Sequence, residues 1–420
     1  PPFEGIRVLG TRWSPAGHRV REFLGRNLVP FQWLDVDASD EARDLLAGLA
    51  RRAEAEGTTP QLPVVLFPDG RCLADPEPLA IAERIGLRTR AERRSYDLIV
   101  VGAGPAGLAA AVYGASEGLG TLLVEREAPG GQAGTSSNIE NYLGFPVGLT
   151  GADLTRRAVA QARRFGAEIL TPAEVHAVRA DGPYRVLTLA DGSEVSSRVL
   201  LVATGVQYRR LDVPGAEPLT GRGVYYGAAL TEAMGCRGQD VYVVGGGNSA
   251  GQAAVFFAPY ARSVTLLVRG PSLSATMSQY LIDQLAAIPN VRLMPRTRVL
   301  EVHGDDHLEA LTLGCDGERT TVEAASLFVF IGALPRTEWI ADLVERDEFG
   351  FIYTGPDLPR DGGRPTGGPL AREPYLLETN VPGVFCAGDV RHQSVKRVAS
   401  AVGEGSIAVQ FTHRYLAEAP

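Results

Sequence analysis

Twice along the chain, an uninterrupted apolar run leads into a glycine-rich turn followed by small residues. The first apolar run, 98–101, precedes the sequence GAGPAG at 102–107 and an alanine-rich stretch. A continuous run of this kind predicts a buried strand of a parallel sheet. The glycines predict a tight turn, and the alanine-rich residues predict a helix. A second apolar run, 121–124, predicts the next strand.

This strand–turn–helix pattern is typical of dinucleotide-binding sites. Gly102 permits the tight turn, Gly104 lets a pyrophosphate approach the backbone, and Gly107 lets the helix pack close to the strand. The N–H groups at the helix start would hold the phosphates. Glu125 ends the second strand 18 positions after Gly107, which suits a carboxylate that accepts from a ribose hydroxyl. A glycine motif alone could be only a tight turn, but the combination predicts a dinucleotide site.

The same pattern returns about 140 positions later, where an apolar run precedes the sequence GGGNSA. In the glycine fingerprint of dinucleotide-binding folds, GxGxxG, the last glycine can be replaced by alanine. Here Gly245 and Gly247 occupy the first two fingerprint positions, and Ala250 occupies the last. The next predicted strand, 264–268, ends in Arg269, and an arginine there favours the 2′-phosphate of NADP. Two such folds predict two dinucleotides, commonly one flavin and one nicotinamide. The alternative is a structural repeat without a second ligand.

Three further predicted strands end on small residues, where a backbone can meet a ligand. One closes on Ala203-Thr-Gly205, and a similar one closes on Gly332. The third ends in Gly388-Asp389 before an alanine- and glycine-rich helix. That arrangement is typical of proteins that hold a ribityl chain.

The loop after the first fingerprint carries a second group of candidate residues. Gly130 and Gly131 suit a backbone that passes close to a flat ring. Gln132 and Asn141 could hydrogen-bond the edge of such a ring. Loop amides alone do not establish this role.

Residues 1–87 predict a small separate α/β domain. Its predicted strands are 6–9, 31–36 and 61–67, and its predicted helices are 18–27 and 41–56. Residues 88–95 follow as a predicted solvated linker, because four arginines lie among polar residues in this stretch. The alternative is a phosphate-binding role for these arginines.

Composition narrows the class of protein. The 420 residues are 45% hydrophobic and 21% charged, with a formal net charge of -8 and no sustained basic stripe, which argues against nucleic acid as a partner. No apolar stretch approaches the ~20 residues of a membrane span. The four cysteines, Cys72, Cys236, Cys315 and Cys386, form no CxxC pair. Reduced thiols and a cytoplasmic location are therefore expected.

Over residues 95–420 these pieces, in this order, resemble the thioredoxin reductase family of FAD-dependent pyridine nucleotide oxidoreductases. The shared motifs are GAGPAG, GGQ, ENY, ATG, GRGV, GGGNSA, FIG and VPGVFCAGD. The resemblance implies an α/β fold with two nested Rossmann-like dinucleotide-binding domains. The FAD-binding domain would comprise 96–209 and 334–420, and the NAD(P)H-binding domain 210–333 would be inserted into it. It also implies a homodimer.

The resemblance assigns cofactor-binding residues by their place in these motifs. The residues expected to hold FAD are Gly102, Gly104, Pro105, Ala106, Gly107, Glu125, Gly131, Gln132, Asn141, Val175, Ala203, Gly205, Gly388, Asp389, Arg397 and Val398. The residues expected at the NADPH side are Gly245, Gly247, Asn248, Ser249, Ala250, Arg269 and Gly332. Arg397 and Val398 would face the pyrimidine end of the flavin, where Arg397 tunes the ring. The flavin itself is expected to be the catalytic group, and no side chain is expected to act as one.

Residues 1–87 resemble the glutaredoxin and mycoredoxin branch of the thioredoxin fold. That family carries Trp-Cys-x-x-Cys after the first strand, whereas this chain has WSPAG at 13–17. Both cysteine positions are therefore lost, and the domain cannot carry out thiol–disulfide exchange. Pro63 falls where the family has its cis-proline.

The second domain also departs from its family. Relatives carry a redox Cys-x-x-Cys soon after GRGV, but the aligned positions here lie near Gly227 and Leu230. Of the arginine cluster of NADPH-specific relatives, Arg269 remains, while Gly270 and Ser274 occupy the other positions. The predicted function is hydride transfer from NADPH to FAD, followed by direct electron transfer to an unidentified acceptor, either a small molecule or a redox protein. The alternatives are electron transfer of the ferredoxin/flavodoxin–NADP reductase type and a non-catalytic flavin-bound sensor or scaffold.

Overall fold

The computed structural model describes residues 5–55, 61–136, 139, 141–226, 235–361, 364–365 and 372–418. The chain divides into two compact units, each built from two separate segments. The N-terminal unit contains residues 1–77 and 208–332, and the C-terminal unit contains residues 78–207 and 333–420. Residues 1–77 therefore share a compact unit with the second glycine fingerprint. The predicted division into an N-terminal domain, a linker and two nested domains stays a prediction.

Strands outnumber helices in the described part of the chain, and strand–helix alternation is confined to parts of each unit. The strands are β1 Ile6–Gly10, β2 Phe31–Asp35, β3 Val64–Leu66, β4 Cys72–Ala74, β5 Ser95–Val101, β6 Thr121–Val124, β7 Glu168–Leu170, β8 Val175–Asp181, β9 Tyr184–Leu189, β10 Glu194–Val202, β11 Val206–Tyr208, β12 Val224–Tyr225, β13 Asp240–Val244, β14 Ser263–Leu267, β15 Val291–Met294, β16 Thr297–His303, β17 Ala310–Cys315, β18 Glu318–Glu323, β19 Ser326–Val329, β20 Ala333–Pro335, β21 Arg360–Asp361, β22 Arg364–Pro365 and β23 Val384–Cys386. The α-helices are α1 Pro15–Arg26, α2 Asp40–Ala55, α3 Pro78–Arg84, α4 Pro105–Ser116, α5 Gly131–Gly134, α6 Gly151–Arg164, α7 Asn248–Phe257, α8 Gln279–Ala286 and α9 Val398–Glu418. Two 3-10 helices cover Glu338–Ile340 and Gly355–Asp357.

The N-terminal unit begins with a four-stranded sheet in the order β2-β1-β3-β4. Strand β1 is parallel to β2 and antiparallel to β3. Helix α1 starts at Pro15 because the Ser14 hydroxyl caps it, accepting the Gly17 N–H at 3.1 Å. The Leu62–Pro63 peptide is cis, which confirms the expectation for that position.

The remainder of the N-terminal unit is a five-stranded parallel sheet in the order β12-β19-β13-β14-β15. The aliphatic side chains of Val241 and Val243 on the central strand are fully buried, together with Phe257 of α7. A three-stranded antiparallel sheet, β16-β17-β18, follows in the chain. Strand β13, helix α7 and strand β14 form the strand–helix–strand arrangement that the second glycine pattern predicts.

The C-terminal unit contains a larger sheet with strand order β7-β6-β5-β10-β9-β8, and β23 pairs with β10. Strands β5, β6, β7, β10 and β23 run parallel to their neighbours within this group. The predicted strand 98–101 is the buried end of β5, where Leu98 and Val100 are inaccessible to solvent. The carboxyl ends of these parallel strands bring the glycine motifs that follow them to one edge of the sheet.

Several predicted elements differ from the structure at their ends. The predicted strand 195–205 ends at Val202, because the backbone turns after it and Gly205 has a φ of +59°. The predicted helix 18–27 begins three residues earlier, at its proline. His18, in the first turns of this helix, is half-buried, and its ring centroid lies 5.4 Å from that of Tyr225.

The predicted linker 88–95 is exposed along most of its length but is hydrogen-bonded to the C-terminal unit. The carbonyl of Arg88 accepts the Thr171 N–H, and that of Arg94 accepts the Ser196 N–H, both at 2.9 Å. Buried Glu168 accepts the Glu92 N–H at 2.7 Å. Among the described residues, no helix is long and apolar enough to cross a lipid bilayer.

Candidate dinucleotide-binding sites

The first fingerprint loop has the backbone shape that its glycines predict. Gly102 has a φ of +104°, and a Cβ there would lie 2.4 Å from the Ala203 carbonyl oxygen. At Gly107 a Cβ would lie 1.8 Å from the Gly102 carbonyl oxygen, so only glycine allows α4 to approach the turn. At Gly104 the nearest atom to a Cβ would be 3.9 Å away. The two outer glycines are therefore required by packing, whereas the middle one leaves open space for a ligand.

Four of the predicted FAD motifs converge around this loop. A Cβ at Gly131 would lie 3.0 Å from the Gly104 Cα, and one at Gly388 would lie 3.0 Å from the Ala106 Cβ. Together with the contact between Gly102 and Ala203, this places the GAGPAG, GGQ, ATG and GD motifs side by side. Segments separated by up to 286 positions in the sequence thus form one cradle of close backbones.

Asp389 provides a polar group in this cradle. Its side chain is partly buried, and burial raises its pKa above the ordinary aspartate value. Among the described residues, no hydrogen bond to its carboxylate is present. The neighbouring Gly388 N–H donates to Glu404 at 2.7 Å, and Glu404 also pairs with Arg391 at 2.7 Å. The backbone of the GD motif is therefore held by an ion pair, while the Asp389 carboxylate remains available to a ligand hydroxyl.

The other predicted FAD residues occupy different kinds of position. Glu125 is engaged within the protein, because its carboxylate accepts the Ala103 N–H at 2.8 Å and the Glu127 N–H at 3.0 Å. The Gln132 amide donates to the Val206 carbonyl at 3.2 Å. Asn141 is exposed.

The last three lie at element boundaries. Val175 is buried at the start of β8. Arg397 is exposed and immediately precedes α9, whose first residue is Val398. The N–H groups at the start of a long helix favour electron-rich ligand atoms.

The second fingerprint loop repeats the geometry of the first in the N-terminal unit. A Cβ at Gly245 would lie 2.4 Å from the Phe330 carbonyl oxygen, whereas Gly247 has no neighbour closer than 3.8 Å. Ala250 is fully buried at the helix–strand contact. The open middle position and the closed outer positions are thus the same in both loops.

The loop that follows β14 is attached directly to this fingerprint. The Asn248 side chain accepts the Ser278 N–H at 2.7 Å and donates to the Ser278 hydroxyl at 2.9 Å. The Thr276 hydroxyl donates to the Gly246 carbonyl at 2.6 Å. Arg269 and Ser249 are exposed next to these contacts in the sequence, where they are accessible to a ligand.

Gly332, also predicted at the nicotinamide side, has a φ of +99°, and its carbonyl accepts the Arg209 N–H at 2.9 Å. The sequence analysis missed the supporting residues Glu404, Thr276 and Ser278. Polar residues that hydrogen-bond across 16 to 30 positions carry no short-range pattern, so no sequence signal identifies them.

All four cysteines lie in the described part of the chain, and none forms a disulfide. Cys236 is buried, and its sulfur lies 3.4 Å from the Ser326 hydroxyl, which agrees with a structural role. Cys386 is buried in β23, and burial raises the pKa of its thiol. Gly227 and Leu230, the positions aligned with the family's redox cysteines, lie outside the described residues.

Two glycine-rich strand–turn–helix loops in one chain, each with an open backbone at a helix start, are typical of α/β proteins that bind two dinucleotides. Residues 96–405 match the family described as pyridine nucleotide-disulphide oxidoreductase. The chain belongs to this family.

Individual relatives agree with this assignment. Thioredoxin reductase of Bacillus subtilis is 33% identical over 332 residues, which cover 78% of this chain and 96% of the relative. A 34.2 kDa protein in the rubredoxin operon of Clostridium pasteurianum is 31% identical over 327 residues, which cover 77% of this chain and 98% of that protein. Among solved structures, Lactococcus lactis thioredoxin reductase (FR conformation) has a TM-score of 0.68 at 29% identity, covering 77% of this chain and 99% of its own. T. acidophilum thioredoxin reductase has a TM-score of 0.69 at 26% identity, covering 78% and 100%. FAD and NADPH, the two predicted cofactors, are those that thioredoxin reductase family members use.

Proposed function

We propose that this chain is an NADPH-dependent, FAD-containing oxidoreductase that passes electrons to an acceptor outside the chain without a disulfide relay of its own. The observation that carries the proposal is the pairing of two complete fingerprint loops with four cysteines that lie in separate parts of the fold, none of them in a disulfide. The family supports two-cofactor oxidoreductase chemistry. The cysteine positions support a route that bypasses thiols.

The C-terminal unit has residues that fit FAD. The open backbone at Gly104 and the first N–H groups of α4 would hold the pyrophosphate, because a helix start favours an anion. The Asp389 carboxylate would accept from a ribityl hydroxyl. Arg397, beside the start of α9, would place positive charge near the ring. FAD, when bound, supplies a ring that accepts a hydride and releases electrons.

Three features of the cysteines support a thiol-independent route. A disulfide needs two Cα atoms within about 7 Å. Cys72 and Cys315 lie in two different sheets of the N-terminal unit, and Cys236 is buried there against Ser326. Cys386 is buried with a raised pKa, which disfavours the reactive thiolate. The sequence itself has Gly227 and Leu230 where relatives have cysteines.

We further propose that the predicted domain 1–87 is a glutaredoxin-like, thioredoxin-fold segment that has lost its cysteines, and that its residues 1–77 now serve to pack on the NADPH-binding segment. Its tryptophan supports this role: the Trp13 ring stacks on His307 with 5.0 Å between centroids and 13° between planes. Arg12 donates to the carbonyl of Gly235 and, at 3.3 Å, to the side chain of Gln239. The alternative is that this domain docks a partner through the surface around Trp13, but the Trp13 ring is already engaged in contacts within the unit, which favours packing.

The alternative of a ferredoxin-type reductase would need a docking surface for an acidic partner, for which the arginines around 88–94 and 360–372 are the candidates. Two of these arginines are already paired within the chain. Arg88 lies 2.6 Å from Glu92, and Arg360 lies 2.8 Å from Glu373. Local pairing lowers the charge that these sites offer to an acidic protein. The homodimer, the location in the cell and the identity of the acceptor stay predictions.

The test is anaerobic stopped-flow reduction of the purified protein by NADPH. The wild type should be yellow, and NADPH should bleach the flavin absorbance within milliseconds to seconds. A variant with all four cysteines changed to Ser should retain its FAD and bleach at the same rate. A folded, FAD-loaded variant that no longer bleaches would show that a thiol takes part. A wild type that cannot be loaded with FAD would refute the whole assignment.

A further inference from the structure

We propose that Arg296 is a second binding residue for the 2′-phosphate of NADPH, beside Arg269. The proposal rests on the NADPH-dependent function argued above. At the three positions where relatives carry the arginine cluster, this chain keeps only Arg269, because Gly270 and Ser274 occupy the other two. Arg296 comes from a different strand connection, 27 positions further along the chain, and the fold brings it back to the same loop.

The first step is the position of the receiving loop. Thr276 and Ser278 attach residues 269–278 to the fingerprint, through hydrogen bonds of 2.6 Å to the Gly246 carbonyl and 2.7 Å to the Asn248 side chain. The loop that begins with Arg269 therefore lies directly against the backbone where the dinucleotide would be held. In this fold, the residue after the second strand recognises the ribose 2′ position.

The second step is the attachment of Arg296 to that loop. The chain after β15 runs beside the end of β14, because the Val268 N–H donates to the Met294 carbonyl at 3.0 Å and the Thr297 N–H donates to the Val268 carbonyl at 2.9 Å. Between these bonds, the Arg296 N–H donates to the Gly270 carbonyl at 2.9 Å. Arg296 thus lies opposite the residue that follows Arg269, and Gly270 has no side chain to block it.

The third step is the conformation and charge of Arg296. Its φ of +52° lies in the left-handed region, where glycine or asparagine would be less strained than arginine. Its side chain is 62% exposed, and its ion pair with Asp316 is long, at 3.8 Å between two exposed groups. Such a pair contributes little, so the guanidinium can exchange it for a phosphate, to which arginine binds bidentately.

The experiment is calorimetric titration of the FAD-loaded protein with 2′,5′-ADP and with 5′-AMP, which lacks the 2′-phosphate. Arg296→Gly should weaken 2′,5′-ADP binding by about 5-fold, as expected for one exposed charged contact, and leave 5′-AMP unchanged. Glycine suits the left-handed backbone, so the variant should fold at least as stably as the wild type. Asp316→Asn removes the competing carboxylate and should strengthen 2′,5′-ADP binding about 2-fold.

Arg292→Ala is the matched control. Arg292 is an exposed arginine in β15, but it interacts with Asp240 at the opposite end of the parallel sheet. It should bind both probes as the wild type does. A wild type that binds both probes equally would refute the NADPH-dependent function itself. If the wild type prefers 2′,5′-ADP and the Arg296→Gly variant prefers it by the same factor as the wild type, only the role of Arg296 is refuted.

Discussion

Removal of the Asp389 carboxylate should separate FAD affinity from protein stability. The group is partly buried, its pKa is raised by burial, and among the described residues it has no hydrogen-bonding partner. In the FAD-free protein this carboxylate is therefore a desolvated charge that nearby Lys396 offsets only in part. A hydroxyl that donates to an ionised carboxylate contributes about 1.5–3 kcal/mol, so Asp389→Ala should weaken FAD binding by roughly 10- to 150-fold. The same change should leave the melting temperature of the FAD-free protein equal or higher.

The pH dependence follows from the direction of the pKa shift. Because the pKa of Asp389 is raised in the folded FAD-free protein, the carboxyl takes up a proton at a higher pH there than in the unfolded chain, and ionisation destabilises the FAD-free fold. A hydroxyl donor favours the ionised form, so FAD binding should release a proton. FAD affinity should then rise with pH until the pH passes the raised pKa of Asp389 in the FAD-free protein, and become constant above it.

The assay is fluorescence titration of FAD-free protein with FAD across this pH range, with parallel melting curves. Asp389→Asn keeps an acceptor oxygen, so it should lose less affinity than Asp389→Ala and should lack the wild-type pH slope. Asp181→Asn, at an exposed hairpin position of the same unit, is the control and should behave as the wild type. If Asp389→Ala lowers the melting temperature of the FAD-free protein and leaves FAD affinity unchanged, the carboxylate has a structural role and the reasoning is wrong.

Two further predictions concern packing. In α9, Gly405→Ala would place a Cβ 2.1 Å from the Ala106 carbonyl oxygen and should lower both stability and FAD content, whereas Gly403→Ala meets no atom within 4 Å and should raise stability by about 0.5–1 kcal/mol in denaturant unfolding. Equal effects of the two changes would show that the contact between α9 and the fingerprint is not tight. Trp13→Ala and His307→Ala should show a coupling of about 0.5–1.5 kcal/mol in a double-mutant cycle, with unchanged flavin reduction by NADPH. Additive effects of the two changes on stability would show that the stacking of these two rings does not stabilise the packing of residues 1–77.

The glycine fingerprints could be predicted because their physical requirements are local. A buried strand, a turn with positive φ and a close helix start all lie within about ten residues, and each limits which residue types can occur. Gly102 and Gly107 meet these limits through contacts with carbonyl oxygens that no side chain tolerates. The order of the parallel strands follows from the same repeated strand–helix unit.

The supporting contacts could not be predicted, because they join residues that are distant in the sequence. Glu404 holds the Gly388 N–H from inside α9, and Ser278 holds Asn248 from 30 positions away. Each depends on how two completed elements meet, and a single serine or glutamate has no periodicity that reveals it. The capping of α1 by Ser14 is local, yet the resemblance directed attention to that position as a lost cysteine rather than as a helix cap.

The fold also places the WSPAG stretch at 13–17 beside the segment around β12. A Cβ at Gly221, four residues before the end of β12, would lie 3.5 Å from the Pro15 Cα and from the His18 ring. His18 in turn lies against Tyr225, the last residue of that strand. The WSPAG loop therefore contacts the segment that leads directly to positions 227–230, where relatives carry their redox pair. Residues packed in this way are not free to meet a separate electron-transfer partner, so these contacts favour the packing role proposed for residues 1–77 over an exchange of electrons.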